Sequence, residues 1–85
     1  MKTVEEIRGE LNSDDWLIRV DAMQACIDRT DIPIYLIGRG LDDEDVCVRH
    51  AALRACECRK DIPPELIKRC ENDEQMLRLK RWLVK

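Results

Sequence analysis

The chain has 85 residues, 18 acidic and 15 basic side chains, and a net charge of −3 at pH 7. A chain of this length supports one small core, and its slight acidity argues against nucleic acid or an anionic membrane surface as a partner. No apolar run reaches the roughly 18 residues of a membrane-spanning helix.

The N-terminal residues Met1–Leu11 include three glutamates and no apolar segment, so we expect no secretory signal. The chain has five cysteines. In a chain without a leader, an odd number of cysteines is typical of reduced thiols. These observations predict a cytoplasmic protein.

The sequence contains an internal repeat. When residues 42–71 are aligned with residues 12–41, 12 of the 30 positions are identical. The identical pairs are Asp15/Asp45, Arg19/Arg49, Ala22/Ala52, Ala25/Ala55, Cys26/Cys56, Arg29/Arg59, Asp31/Asp61, Ile32/Ile62, Pro33/Pro63, Leu36/Leu66, Ile37/Ile67 and Arg39/Arg69. Because a repeat of this period is typical of stacked helical units, we expect one domain, 1–85, with repeats at about 1–30, 31–60 and 61–85.

Each repeat is predicted to contain a short first helix and a longer second helix. Thr3 and Glu6 have the spacing of a capping box, and Pro33 and Pro63 suit a first helical turn. The predicted first helices are Thr3–Leu11, Pro33–Leu41 and Pro63–Glu71. Acidic turns precede the second helices and favour the positive end of the helix dipole. The predicted second helices are Asp15–Asp28, Asp45–Cys58 and Asp73–Val84.

The second helix of the first repeat is apolar over more than half of its circumference. Its narrow polar stripe consists of Asp21, Gln24 and Asp28. Such a helix should have neighbours on most sides, so Trp16, which aligns with Val46, is predicted to lie in the core. The same helical wheel places Ala52 against neighbouring helices and Ala51 on the polar stripe.

Arg19 and Arg49 fall inside the apolar arcs of their helices rather than on the polar stripes. A half-buried guanidinium requires hydrogen-bond acceptors. The acidic turn before each second helix, and Asp43 in particular, can supply them.

The motif D-x4-V-R-x2-A-x2-A at residues 43–55 resembles the second helix of a HEAT repeat of the short bacterial kind. Residues 13–25 are similar, with serine for the first aspartate, and residues 48–67 also resemble the leucine-rich variant repeat. The resemblance implies an all-α, right-handed solenoid of about three two-helix repeats. It also implies that Arg19, Asp43 and Arg49 form a ladder along the stack.

The third repeat departs from this pattern. Leu79 stands where the other repeats have Arg19 and Arg49, and Trp82 replaces Ala22 and Ala52. A tryptophan cannot occupy a position that must be small for a following repeat. The last helix is therefore predicted to cap the stack or to offer an apolar face to another chain.

The cysteines do not form a recognisable metal site. Cys56 and Cys58 lack the C-x2-C spacing and point about 200° apart on one helix, and Cys47 and Cys70 add no such pair. Cys26, which is equivalent to Cys56, is expected to be a small core residue. We expect no metal and no cofactor.

Catalytic motifs are also missing from the sequence. His50 is the single histidine and has no nucleophile at a supporting spacing. The acidic turn at residues 42–45 lacks the spacing of a calcium-binding loop, and the two glycines of residues 38–40 are too few for a phosphate loop. We therefore expect that the protein is not an enzyme.

The polar stripe of the second helices remains as a candidate site. It comprises Asp21, Gln24 and Asp28, then Ala51, Arg54 and Cys58, then Arg81 and Val84. The stripe is either a solvated face without a role or the concave binding surface of a solenoid. The second interpretation predicts a small protein-binding adaptor or inhibitor. Its partner-binding residues would be Asp21, Gln24, Arg54, Arg81 and Trp82.

Two alternatives stay open. Apolar end faces near Val4, Ile7, Trp82 and Leu83 could stack into a homo-oligomer. The evenly spaced arginines from Arg19 to Arg69 could contact nucleic acid, although the acidic balance argues against this.

The ladder leads to a first prediction. Arg49→Ala should lower the free energy of unfolding by about 2 kcal/mol or more, because the acceptors of the turn lose their donor. Chemical denaturation would measure the change. A loss below about 0.5 kcal/mol, the size typical of surface substitutions, would refute the ladder.

Overall fold

The computed structural model describes residues 2–71, and for Ile67 and residues 69–71 it describes the backbone alone. This part of the chain is helical and contains no strand. Its helices are α1 (Val4–Glu10), α2 (Trp16–Gln24), α3 (Ile34–Leu41), α4 (Val46–Glu57) and α5 (Pro64–Glu71). The predicted helix Asp73–Val84, together with Leu79, Arg81, Trp82 and Leu83, lies outside the described residues.

The helix starts follow from the residues that precede them. Thr3 and Glu6 form the expected capping box, in which the Glu6 backbone N–H donates to Thr3 Oγ1 at 3.1 Å. Asp15 caps α2 by accepting the N–H of Leu17 at 3.0 Å, and Asp45 caps α4 in the same way. These side chains satisfy backbone donors that have no partner inside the helix.

Most of the predicted helix ends differ from the observed ones, usually by one residue. Pro33 has extended backbone angles and precedes α3 as its N-cap, and α5 begins at Pro64 rather than Pro63. The second helix of the first repeat ends at Gln24 rather than Asp28. Hydrogen bonds between residues three apart tighten the chain after Gln24, and Asp28 ends the segment with a φ of 66°. Aspartate tolerates this left-handed conformation better than most residues.

Helix α4 is at the centre of the described structure and packs against α2, α3 and α5. The core between these helices is apolar and includes buried residues of α1 to α4, with Leu66 of α5 partly buried against it. Its fully buried members include Ile7, Met23, Cys26, Ile32, Leu36, Ile37, Val48 and Cys56. Burial of Cys26 and Cys56 agrees with their prediction as core residues. None of the helices described here is long and apolar enough to cross a bilayer.

The helical wheel was wrong for one side of the second helices. Trp16 is 44 % exposed, and Leu17 and Ile18 are 58 % and 41 % exposed, because α2 packs mainly against α1 and α4 on its other side. Ala51 is only 4 % exposed and belongs to the core, like Ala52. The wheel misplaced Trp16 and Ile18 because it assumed neighbours around most of the helix.

Gly40 lies where α3 crosses α2 and α4. A Cβ atom at this position would overlap the side chain of Met23 and lie 2.9 Å from the Cβ of Ala52. Gly38, in the same helix, has open space around its Cα. The close contact of three helices therefore depends on the missing side chain of Gly40.

These two glycines give a matched prediction. Gly40→Ala should destabilise the protein by about 1–3 kcal/mol, because the added methyl group overpacks the core. Gly38→Ala should raise stability by up to about 1 kcal/mol, because alanine favours the helix more than glycine. Thermal unfolding of both variants would measure the difference. Equal stability of the two variants would contradict the packing of α3.

Candidate functional site: a groove between α2 and α4

A surface groove of about 280 Å³ runs between the second helices of the first two repeats. Its lining residues are Trp16, Val20, Gln24 and Ile27 from α2 and the turn after it, and Cys47, His50, Ala51 and Arg54 from α4. Trp16, Val20, Gln24 and Ile27 are three or four positions apart, and so are Cys47, Ala51 and Arg54, which places each row on one side of its segment. The groove is thus formed by two facing rows of side chains.

The floor and the rim of the groove differ in chemistry. Ala51 is buried at the floor, whereas Trp16, Gln24 and Arg54 are exposed at the surface. Among the described lining residues, Arg54 is the one with a full charge at neutral pH. The groove is therefore an apolar depression that carries positive charge.

The structure brings together two of the predicted partner-binding residues. Gln24 and Arg54 both line the groove. Asp21 is exposed but does not line it, because its carboxylate pairs with Lys2 Nζ, which also binds Glu10 Oε1 at 2.6 Å. The remaining two, Arg81 and Trp82, lie outside the described residues.

Sequence reasoning missed most of the apolar lining. Trp16 was predicted to lie in the core, and Cys47 and His50 were considered only as metal ligand or catalytic residue. The signal was present as the row Trp16, Val20 and Gln24 at a spacing of four. It could not be recognised without knowing which side of α2 lacks a covering helix.

A buried ion pair fixes α2 to the turn that precedes α4. Arg19 donates from Nε to Asp43 Oδ2 at 2.9 Å and from Nη2 to Asp43 Oδ1 at 3.2 Å. The two side chains are 10 % and 12 % exposed. The hydrogen bonds with Asp43 raise the pKa of Arg19, so its charge is retained at any physiological pH. A planar two-point contact of this kind also fixes relative orientation.

Arg49 occupies the position in α4 that Arg19 occupies in α2. Its Nη1 donates to the backbone carbonyl of Asp43 at 2.8 Å, just as Arg19 Nη1 donates to the carbonyl of Ser13 at 2.9 Å. Asp43 is therefore in contact with both arginines, through its carboxylate and through its carbonyl. The carboxylate also accepts the backbone N–H of Asp45 at 2.9 Å.

A second set of contacts recurs at the spacing of the sequence repeat. Arg29 pairs with Asp31 through Nε at 2.9 Å, and Arg59 pairs with Asp61 through Nε at 2.8 Å. Each guanidinium also donates to a backbone carbonyl 27 residues earlier in the chain. The hydrogen bonds from the arginines lower the pKa of Asp31 and of Asp61. Corresponding parts of the two repeats are thus held by the same interactions.

The thiols of the described residues have distinct environments. Burial raises the pKa of Cys26 to about 11, so this thiol stays protonated. Cys47 is half-buried in the groove, whereas Cys58 is exposed, and a hydrogen bond with Asp28 raises the pKa of Cys58. Within residues 2–71, no group of three or more histidine, cysteine or acidic side chains could hold a metal ion.

Comparison with known proteins gave no significant match, whether to a family model, to a curated protein or to a solved structure.

The ion pair predicts a specific loss of stability. Asp43→Ala should lower the free energy of unfolding by about 2 kcal/mol, because it leaves the guanidinium of Arg19 largely buried without a carboxylate. Glu44→Ala is the matched control. It removes an exposed acid 3.9 Å from the same guanidinium and should have little effect. Urea titration of both variants would measure the change, and similar losses would argue against a special role of Asp43.

Proposed function

We propose that the protein is a non-enzymatic protein-binding module, a small adaptor or inhibitor that contacts its partner through the groove between α2 and α4. The observation that supports this proposal is the exposure of Trp16 beside an apolar depression. Large aromatic side chains in such positions are typical of interface hot spots. The role requires no cofactor and suits a reducing, cytoplasmic compartment.

The architecture that we propose for the whole chain is a right-handed, HEAT-like solenoid of three repeats. Two features support it. The first is the sequence repeat between residues 12–41 and 42–71. The second is that Arg19 and Arg49 make equivalent hydrogen bonds in their two repeats, as do Arg29 and Arg59. In a solenoid, successive second helices line one continuous surface. The groove between α2 and α4 would then be one part of a longer binding surface.

A self-assembling structural unit is the alternative. Ile7 of the expected end face is fully buried and cannot meet a second copy. Leu17, Ile18 and Tyr35 are exposed apolar side chains that do not line the groove, and a second copy could cover them. Nucleic-acid binding has less support. Among the evenly spaced arginines, Arg29 and Arg59 bind aspartates, and Arg39 donates to Asn12 Oδ1 at 2.6 Å.

Two neighbouring residues of α2 allow a matched test. Trp16→Ala and Leu17→Ala both remove an exposed apolar side chain, but only Trp16 lines the groove. In pull-downs from the native host lysate, the tagged chain should retain one abundant partner with Leu17→Ala and lose it with Trp16→Ala. Thermal unfolding should show that both variants are folded.

The same experiment can refute the proposal. Equal retention in both variants would remove the groove from the interface. Recovery of the chain alone, with a mass that increases with concentration in sedimentation, would favour self-assembly.

A further inference from the structure

The size of the groove limits what it can bind. Sites that bind whole small molecules usually measure about 300–1,000 Å³, whereas this groove measures about 280 Å³ and is open to solvent along two helices. A volume just below that range accommodates one or two side chains. The groove therefore suits the projecting side chains of a peptide segment better than a compact ligand.

The charge of the groove contrasts with that of the chain. The protein has a net charge of −3, yet the charged side chain in the lining is the cation Arg54. Asp21, which is near the groove in sequence, pairs with Lys2. An occupant with a carboxylate would meet the cation Arg54 on a chain whose net charge is negative.

Arg54 also differs from the arginines that aspartates of the same chain bind. Arg19, Arg29 and Arg59 are held by aspartates of the same chain. Arg54 is exposed, and within residues 2–71 it forms no ion pair with a carboxylate. Its guanidinium can therefore bind a carboxylate at two points without first breaking an internal pair.

We propose that the occupant of the groove is an acidic, amphipathic segment of a partner protein. A bulky apolar side chain of the segment packs against Trp16 and Val20, and a carboxylate of the segment pairs with Arg54. This inference rests on the proposed protein-binding function and specifies the chemistry of the partner. The apolar contact supplies affinity, while the ion pair selects the sign of the partner's charge.

Selection from a library of random 12-residue peptides on the full chain would test the proposal. Wild-type protein should enrich peptides that combine a bulky apolar residue with aspartate or glutamate. Arg54→Glu should weaken the binding of these peptides at least about tenfold and should remove the acidic preference from a new selection. Lys60→Glu is the matched control, because it changes the net charge equally at an exposed position outside the groove. It should leave both results unchanged.

Two cysteines report whether the peptides bind in the groove. Cys47 lines the groove, and exposed Cys58 does not. A bound acidic peptide should slow the alkylation of Cys47 by N-ethylmaleimide and leave the alkylation of Cys58 unchanged. Protection of both thiols, or of neither, would contradict binding at this site.

The remaining outcomes separate this inference from the proposed function. Peptides that protect Cys47 without an acidic preference would overturn the inference and leave the protein-binding function standing. Protection of Cys47 that increases with the concentration of the chain alone would identify a second copy as the occupant. Protection at every concentration without any peptide would identify residues of the same chain. Either of these two results would overturn the inference and the proposed function together.

Discussion

The bidentate pair between Arg19 and Asp43 is the interaction on which the described structure depends most. It joins the middle of α2 to the turn that precedes α4. Asp43 also accepts the backbone N–H of Asp45, the residue that caps α4, and its carbonyl binds Arg49. Asp43 thus contacts α2 through Arg19, the start of α4 through Asp45, and the side chain of Arg49. Because the pair is largely buried, water does not compete strongly for these contacts.

Small side chains in the interior allow the helices to pack closely against one another. Gly40 of α3 lies against Met23 and Ala52, so a methyl group at this position would already clash. Large side chains at the outer edges of α2 and α4 have the opposite effect. Exposed Trp16 of α2 and Arg54 of α4 line the groove together with the small, buried residue Ala51. The groove thus results from small, closely packed residues at its floor and longer side chains at its rim.

The distribution of charge follows the same division between internal and external roles. Arg19, Arg29 and Arg59 have acidic partners in the chain, and these contacts recur at the repeat spacing. Arg54 does not belong to this set. It aligns with Gln24 rather than with another arginine. Both residues line the groove, and for this reason we propose that Arg54 takes part in recognition.

Much of the helical structure could be predicted from the sequence, because local interactions determine it. Thr3 and Glu6 cap α1 through atoms three residues apart, and Asp15 and Asp45 cap their helices two residues on. Burial of Cys26 and Cys56 also followed from their equivalence in the repeat. The helix ends were less predictable. After Gln24 the chain tightens through hydrogen bonds between residues three apart and reaches a left-handed conformation at Asp28, and no local motif indicates either feature.

The candidate site was only partly predictable. The sequence by itself determined that Gln24 and Arg54 occupy equivalent positions on the second helices. The tertiary structure decided that Asp21 turns to Lys2, that Trp16 is exposed and that Ala51 is buried. A helical wheel gives the direction of each side chain around one axis. Whether that direction meets solvent or another helix depends on which helices pack on which side, and residues distant in sequence determine this.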